Sequence, residues 1–172
     1  MSRSRDRADG ADLSTYAPLA SPTFTGTTDI SSGATFPAGH IIQVRTPVAG
    51  SGTDTDTAED YDDSNVSDTI AFEAGNKILI YASVQMHCHS GGSEVGSQAC
   101  VHNGTSTVTN EPQIFAWGSD SGDQDKGTVV CMGLDSPSGT SATYTVLWRA
   151  QSGGTAVIDQ AQTTLQLMEV QA

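Results

Sequence analysis

The sequence has few basic residues. Seven Lys and Arg stand against twenty Asp and Glu, which gives a net charge of −13 at pH 7. Nucleic acids and anionic membrane surfaces are bound through clustered cationic side chains, so this composition argues against both as partners. Three of the seven cations, Arg3, Arg5 and Arg7, lie at the N-terminus. This asymmetry predicts that the N-terminal segment has a function of its own.

Long apolar runs are also missing. No stretch approaches the ~20 apolar residues that a membrane-spanning helix needs. The opening residues, MSRSRDRADG, lack the apolar segment of a signal peptide. We therefore expect synthesis in a cytoplasm and no insertion into a membrane.

Residues that build helices are scarce. Leu, Lys and Glu are few, whereas Gly, Ser and Thr together supply 59 of the 172 residues. Thr favours strands, and Gly and Ser favour turns. The predicted fold is all-β, an antiparallel β-sandwich or jelly roll preceded by an extended N-terminal arm. We expect strands at 41–46, 68–73, 77–88, 98–103, 113–117, 127–134, 142–150, 155–158 and 162–170.

Proline marks the segment that precedes these strands. Pro18, Pro22 and Pro37 fall within residues 16–39, where single apolar residues are spaced by Ser, Thr and Gly. Proline at this density excludes helix and favours extended backbone. We therefore divide the chain into an extended arm and linker, residues 1–40, and a jelly-roll domain, residues 41–172.

Several predicted strands are apolar on both faces, although a sandwich in a monomer needs only one buried face for each sheet. The opposed sets are Val129 and Cys131 against Val130, Met132 and Leu134, and Leu165 and Leu167 against Met168 and Val170. We expect self-association to cover the second face. The alternative is that loops of the same chain cover it. Self-association predicts a subunit interface that contains Val130, Met132, Met168 and Val170.

The stretch of residues 131–150 predicts a β-hairpin. Its two β-runs flank the turn LDSPSG, in which Pro137 occupies a position that tolerates a missing donor. Gly139 is expected to adopt a positive φ.

Two parts of the chain resemble a known family. Residues 17–27 (APLASPTFTGT) and 35–44 (TFPAGHIIQV) resemble the N-terminal connector of bacteriophage fibre and accessory virion proteins, particularly those of marine phages. The opening SRSRDRAD is similar to their short virion-attachment segments. Residues 76–84, 133–149 and 163–170 resemble the knob that follows such connectors. The resemblance implies a trimeric jelly roll similar to the tumour necrosis factor-like fold.

The function that this resemblance implies is that of a virion structural protein, assembled in the host cytoplasm. A short homotrimeric fibre or knob would dock on the capsid or tail through its arm and adhere to a host surface glycan. A capsid decoration protein is the alternative within this class. The docking residues would be Arg3, Arg5, Arg7, Leu19, Pro22 and Phe24.

Histidine and cysteine residues gather in residues 83–103. His87 and His89 share one face of a strand and Cys88 points the opposite way, so the three cannot bind one ion without a bulge. Repetition of the two histidines about a three-fold axis would give a zinc site, and a hydrogen-bonded row is the alternative. The odd set Cys88, Cys100 and Cys131 indicates buried free thiols, with a Cys88–Cys100 disulfide as the alternative.

Two acidic loops, within residues 50–66 and 118–126, are candidates for calcium. Asp120, Asp123 and Asp125 supply carboxylates in the second loop, but neither loop follows the EF-hand order. We expect solvated loops and no resident metal or cofactor. A soluble module that binds calcium or carbohydrate through these loops is the alternative to a virion protein.

Catalytic motifs are missing: the sequence contains neither GxSxG nor HExxH. We therefore expect no enzymatic activity and assign no catalytic residue. Four aromatic residues, Tyr61, Trp117, Tyr144 and Trp148, are suited to stacking on sugars where they are exposed. Tyr144 and Trp148 alternate with Ala142 and Val146, which places both in the core.

Overall fold

The computed structural model describes residues 37–89, 95–116, 124–151 and 154–172. These residues form antiparallel strands and no helix, so the predicted all-β fold is confirmed. No helix in this part of the chain is long and apolar enough to cross a membrane. The strands are β1 (Ile41–Val44), β2 (Val48–Ala49), β3 (Thr53–Asp56), β4 (Asp62–Ala71), β5 (Lys77–His89), β6 (Val95–His102), β7 (Gln113–Ala116), β8 (Gln124–Asp135), β9 (Ser141–Gln151) and β10 (Thr155–Val170).

The strands form two sheets that enclose one core. The first, which we call the β10 sheet, has the order β1-β10-β5-β8, and the short strands β2 and β3 also pair with β10. The second, the β9 sheet, has the order β4-β9-β6-β7. The predicted jelly-roll or sandwich arrangement is therefore present in the described residues. The arm predicted for residues 1–40 lies almost wholly outside them.

Alternation along the strands builds the core. Every second residue of β5, β9 and β10 is buried, and the residues between them point outward. Tyr144 and Trp148 are fully buried, as their spacing predicts. Each large apolar side chain moved from water into such a core contributes about 1.5–3 kcal/mol. The largest buried side chains are Trp148, Tyr144, Ile70, Ile78, Ile80, Met86, Ile158, Leu165, Leu167, Val66 and Val84.

The two strands predicted at 155–158 and 162–170 are one strand, β10. A bulge between Asp159 and Thr164 hides its continuity in the sequence, because the alternation of the two halves is out of phase. The Thr163 hydroxyl holds the bulge: it donates to the Asp159 carbonyl at 2.8 Å and accepts the Gln85 N–H at 3.3 Å. The carbonyl of Gly52 accepts the N–H groups of Gln160 and Ala161.

The first acidic loop is partly strand. Asp54 and Asp56 belong to β3, opposite Ile158 and Ala156 of β10, and Asp62 is the first residue of β4. The prediction of one solvated loop across these residues is therefore wrong in part. A sequence rich in Asp and Thr carries no apolar alternation, although its backbone can pair with the edge of a central strand.

The hairpin predicted for residues 131–150 is wrong. β8 pairs with β5 in the β10 sheet, whereas β9 pairs with β4 and β6 in the other sheet. The turn between them therefore crosses from one sheet to the other. Gly139 has a φ of 100°, as predicted. Across the turn, the Tyr144 hydroxyl donates to Asp135 at 3.0 Å.

A connecting segment, residues 103–112, runs from β6 to β7 of the β9 sheet and contacts β8 of the other sheet. Val108 N–H donates to the Val101 carbonyl of β6 at 2.9 Å. Asn110 bonds to the free edge of β8: its amide accepts the Met132 N–H at 2.6 Å and donates to the Val130 carbonyl at 3.2 Å. The segment thus satisfies backbone groups that an open strand edge would expose.

The three cysteines are buried and form no disulfide, so the prediction holds on both points and the alternative Cys88–Cys100 bridge is not formed. Burial raises the pKa of the Cys131 thiol to about 12. Burial is also the main cause that raises the pKa of Cys100. Both groups are protonated at neutral pH and are poor nucleophiles.

Candidate functional site: an apolar outer face

The outward positions of β8 carry large apolar side chains. Val130, Met132 and Leu134 alternate with the inward residues Val129 and Cys131, and they are 37%, 53% and 55% exposed. Alternation places all three on the side of the β10 sheet that faces away from the core. The predicted second apolar face of this strand is therefore present.

Register extends this surface across four strands. Val44 of β1 is opposite Met168 of β10, Met168 is opposite Leu79 of β5, and Leu79 is opposite Leu134 of β8. The next row pairs Tyr81 with Met132. We call this surface the apolar face; it consists of Ile41, Val44, Leu79, Tyr81, Val130, Met132, Leu134, Met168 and Val170.

All four residues predicted for a subunit interface lie on the apolar face. Val130 and Met132 are exposed, and Met168 and Val170 are partly buried. The described residues leave the centre of the face open. Sequence reasoning missed Ile41, Val44 and Tyr81, which are 49%, 55% and 36% exposed. Their outward positions in the predicted strands 41–46 and 77–88 could have assigned them to this face.

Acidic residues are nearly missing from this side of the molecule. Among the described outward positions of β1, β5, β8 and β10, Asp159 is the one carboxylate. Both lysines of the chain, Lys77 and Lys126, lie at outward positions of the same sheet. In a chain with a net charge of −13, two copies that approach through these positions bring few carboxylates together.

Of the predicted metal ligands, His87 is the one whose side chain lies in the described part of the structure. His87 lies on the outer side of β5, opposite Lys126, whereas Cys88 is buried on the inner side. The backbones of His89 and Asp125 belong to β5 and β8, and their side chains lie outside the described part of the structure, as do Asp120 and Asp123. The described residues contain no group of three His, Cys, Asp or Glu that could hold a metal ion.

A polar network occupies the outer side of the β9 sheet. Gln98 is at its centre: its side-chain oxygen accepts Arg149 Nε at 2.8 Å, Arg149 Nη2 at 2.6 Å and Gln151 Nε2 at 2.7 Å. Its amide nitrogen donates to the Glu111 carbonyl at 3.1 Å. Tyr61 donates to the Glu111 carboxylate at 3.1 Å, and its ring lies 4.5 Å from the Arg149 guanidinium carbon.

This network fixes two loops on the sheet. Arg149 also donates to the Glu59 carbonyl at 3.1 Å, so it holds the chain before β4, and Glu111 holds the segment before β7. Burial raises the pKa of the Tyr61 phenol, and the nearby Glu111 raises it further. Tyr61 therefore remains a hydrogen-bond donor at neutral pH. Sequence reasoning singled out Tyr61 alone among these residues.

No protein-family model and no curated protein matches the sequence. Solved structures are similar to the chain, and three of them are 8–12% identical to it. Eiger TNF from S. frugiperda, 8% identical, covers 74% of this chain and 94% of its own, with a TM-score of 0.31. The CBM22-1 xylan-binding domain of Paenibacillus barcinonensis Xyn10C, 12% identical, covers 80% and 99%, with a TM-score of 0.28. TmCBM61 in complex with β-1,4-galactotriose, 12% identical, covers 74% and 90%, with a TM-score of 0.26.

The residues predicted for docking, Arg3, Arg5, Arg7, Leu19, Pro22 and Phe24, lie outside the described residues. Most of the acidic loop 118–126 lies outside them as well. In the part of the chain that the structure describes, the apolar face and the polar network are the surfaces that bear on function.

Proposed function

We propose that this chain is a non-catalytic virion structural protein, a homotrimeric knob attached to a capsid or tail by its N-terminal arm. The observation that carries the self-association is the apolar face. Its nine residues are continuous across β1, β10, β5 and β8. Single exposed apolar residues are ordinary on a monomer, but a contiguous patch of this kind marks an interaction surface.

Charge supports a second copy as the partner. The acidic residues that give the chain its negative charge are almost missing from the outward positions of the β10 sheet, so copies approach there with little repulsion. Packing like faces together removes apolar surface from water, and the remaining acidic residues stay in solvent. The trimeric state and the virion location come from the resemblance to phage connectors (residues 17–27 and 35–44) and knobs (residues 76–84, 133–149 and 163–170).

The strand that follows the arm in sequence contributes to the apolar face. β1 is the first strand after the arm in sequence, and its Ile41 and Val44 belong to the apolar face. Gly39 N–H donates to the Gln171 carbonyl at 2.8 Å, which fixes the start of β1 beside the end of β10. Attachment and self-association are thus assigned to adjoining parts of the chain.

Native mass spectrometry and sedimentation of the full chain test the self-association. We expect a trimer for the natural sequence and a monomer for Met132→Asp, because an aspartate on the apolar face is buried without a partner in the assembly. Thr143→Asp places the same charge on the exposed outer side of the β9 sheet and serves as the control. A monomeric natural chain at micromolar concentration contradicts the proposal, as does a trimer that survives Met132→Asp.

The virion location has its own measurement, the copy number of this chain in purified particles. A multiple of three at each vertex or each tail appendage supports the assignment and distinguishes a head protein from a tail protein. Absence of the chain from particles contradicts it and leaves the self-association intact.

A further inference from the structure

The outer side of the β9 sheet carries an exposed aromatic ring that packs against the backbone of a neighbouring strand. Phe115 of β7 is 46% exposed. Its ring lies over Gly96 of β6: a Cβ added at Gly96 would meet ring atoms Cε1 and Cδ1 at 3.0 and 3.1 Å. Gly96 is buried next to the ring, and the exposed fraction of Phe115 leaves part of the ring accessible to a ligand. A side chain at this position would have to shift the ring by a few tenths of an ångström.

Amide and guanidinium groups surround this ring in register. Gly96 lies between Phe115 and Gln151, and in the next row Gln98 lies between Gln113 and Arg149. Gln98 is 4% exposed, and its oxygen is saturated by three donors, so it positions Arg149 and Gln151. The hydrogen bonds within the described residues engage three of the five N–H groups of Arg149. The remaining two N–H groups and the exposed Gln113 amide are available to a ligand.

We propose that this surface binds a neutral oligosaccharide. A sugar ring presents an apolar C–H face and a rim of hydroxyl groups, which match an open aromatic face flanked by planar donors and acceptors. The polar groups are fixed by the network before a ligand arrives, so little ordering accompanies binding. The residues concerned belong to three adjacent strands, β7, β6 and β9, which suits a chain of sugars rather than one enclosed sugar.

Local charge selects a neutral sugar over an acidic one. Carboxylates crowd this end of the sheet: Glu59, Asp60, Asp62 and Asp63 precede or begin β4, and Glu111 belongs to the network. The guanidinium group of Arg149 already stacks on Tyr61 and donates a hydrogen bond to Gln98. An anionic sugar would meet net negative charge, so we expect no binding of sialylated or uronic glycans.

The site goes beyond the proposed function and does not depend on it. A single domain has the whole surface, because all of its strands belong to one chain. In an assembly that buries the outer side of the β10 sheet, the outer side of the β9 sheet remains exposed. Several copies would then bind a multivalent surface more tightly than one copy binds a soluble sugar.

A glycan array that contains neutral and acidic glycans, probed with the full chain, identifies the ligand, and calorimetry with the soluble form measures its affinity. We expect binding to neutral glycans. Phe115→Tyr keeps an aromatic ring and should bind normally, whereas Phe115→Leu should bind about fivefold more weakly or worse, the range of a lost aromatic contact. Thr143→Ala, at the other end of the same outer surface, is the control and should leave binding unchanged.

Three results would overturn the site: no glycan bound by the natural chain, binding of acidic glycans alone, or equal affinity for Phe115→Leu and the natural chain. The monomeric variant Met132→Asp separates this proposal from self-association. This variant should bind the soluble oligosaccharide with the affinity of the natural chain. On the array it should lose the additional affinity that several linked copies provide. If the natural chain is monomeric and still binds the soluble sugar, the trimer is wrong and the glycan site stands.

Discussion

Two glycines of β8 differ sharply in what surrounds them. A Cβ at Gly133 would overlap the carbonyl oxygen of Val108 in the connecting segment, a backbone atom that cannot move aside alone. A Cβ at Gly127 would meet only the Cγ2 atom of Ile114, at 3.1 Å. The close approach of segment and strand at Gly133 therefore requires a residue without a side chain.

Gly133→Ala should lower the free energy of unfolding by about 3 kcal/mol, because it overpacks a site bounded by backbone. Gly127→Ala should change it by less than about 1 kcal/mol, since a side-chain methyl can shift and alanine reduces the entropy of the unfolded chain. Denaturant titration of both variants measures the difference. Equal unfolding free energies for the two variants would mean that the connecting segment moves away from Gly133 at little cost.

Tyr144 links pH to stability. Burial raises the pKa of its phenol, and the hydrogen bond to Asp135 raises it further. Below about pH 10, the ordinary pKa of tyrosine, the phenol is protonated in both the folded and the unfolded state, so this stabilisation is fully present. Above that pH the unfolded chain releases the proton first. Stability therefore falls as pH rises toward the folded-state pKa.

Tyr144→Phe removes this contribution together with one hydrogen bond. At pH 7 we expect a loss of about 1–2 kcal/mol, the net value of a hydrogen bond to a carboxylate. Between pH 9 and about pH 11, the decline in unfolding free energy should be shallower than in the natural chain. Some decline persists, because Tyr61 and Cys131 also have raised pKa values. Parallel pH profiles would rule out Tyr144 as a contributor.

Alternation in the sequence predicts single residues well in this protein. It placed Tyr144 and Trp148 in the core and Val130 and Met132 on an outward face, because both assignments follow from the two-residue period of a strand. It gave no sign of the Gln98 network. Polar residues on an outer face look alike in sequence whether they are solvated or bonded to a loop many positions away.

Pairing of whole strands was harder to predict. The pattern that identified β8 and β9 fixes which side of each strand is apolar, but a short turn serves a hairpin and a crossing between sheets equally well. Both strands have an inner apolar side, so the crossing places these sides against each other across one core. The connecting segment escaped prediction for a related reason: it binds strand edges through Asn110 and backbone groups and has no apolar period.

The side chain of Asn110 makes the principal hydrogen bonds between the connecting segment and the edge of β8. Asn110→Ala should destabilise the domain by about 1–3 kcal/mol, because the substitution removes two hydrogen bonds and leaves the Met132 N–H without its acceptor. Hydrogen exchange should accelerate at the Met132 amide and remain slow in β5, the strand on the other side of β8. The control is Ser106→Ala, in the same segment. Asn65→Ala, at an exposed site, is unsuitable as a control because Asn65 has a φ of 59°. Unchanged exchange at Met132 would show that the backbone bonds alone hold this edge.

Charge governs the behaviour of the whole molecule. Each copy carries a net charge of −13, and assembly through the apolar face brings like-charged subunits together. Salt shortens the range of this repulsion, to about 10 Å at 0.1 M. Raising the salt concentration should therefore tighten the proposed trimer, whereas an interface held by ion pairs would weaken.

Sedimentation at several concentrations of sodium chloride measures this effect. We expect the dissociation constant to fall between about 0.02 M and 0.5 M salt, the range over which the Debye length shrinks most. The same series on Thr143→Asp, which adds one negative charge far from the face, should show a steeper dependence. A dissociation constant that rises with salt would contradict an apolar interface.

The position of β10 in the chain has a consequence for synthesis. β10 follows every other strand and yet lies inside its sheet, between β5 and the short strands β1, β2 and β3. The four strands of the β9 sheet all leave the ribosome before it. In the nascent chain the β9 sheet can therefore form first. β5 and β1 cannot be joined until β10 has been synthesised, and pairings between strands so distant in sequence are slow. The side of the protein that carries the apolar face is therefore the last to close, which delays contact between copies until each subunit has folded.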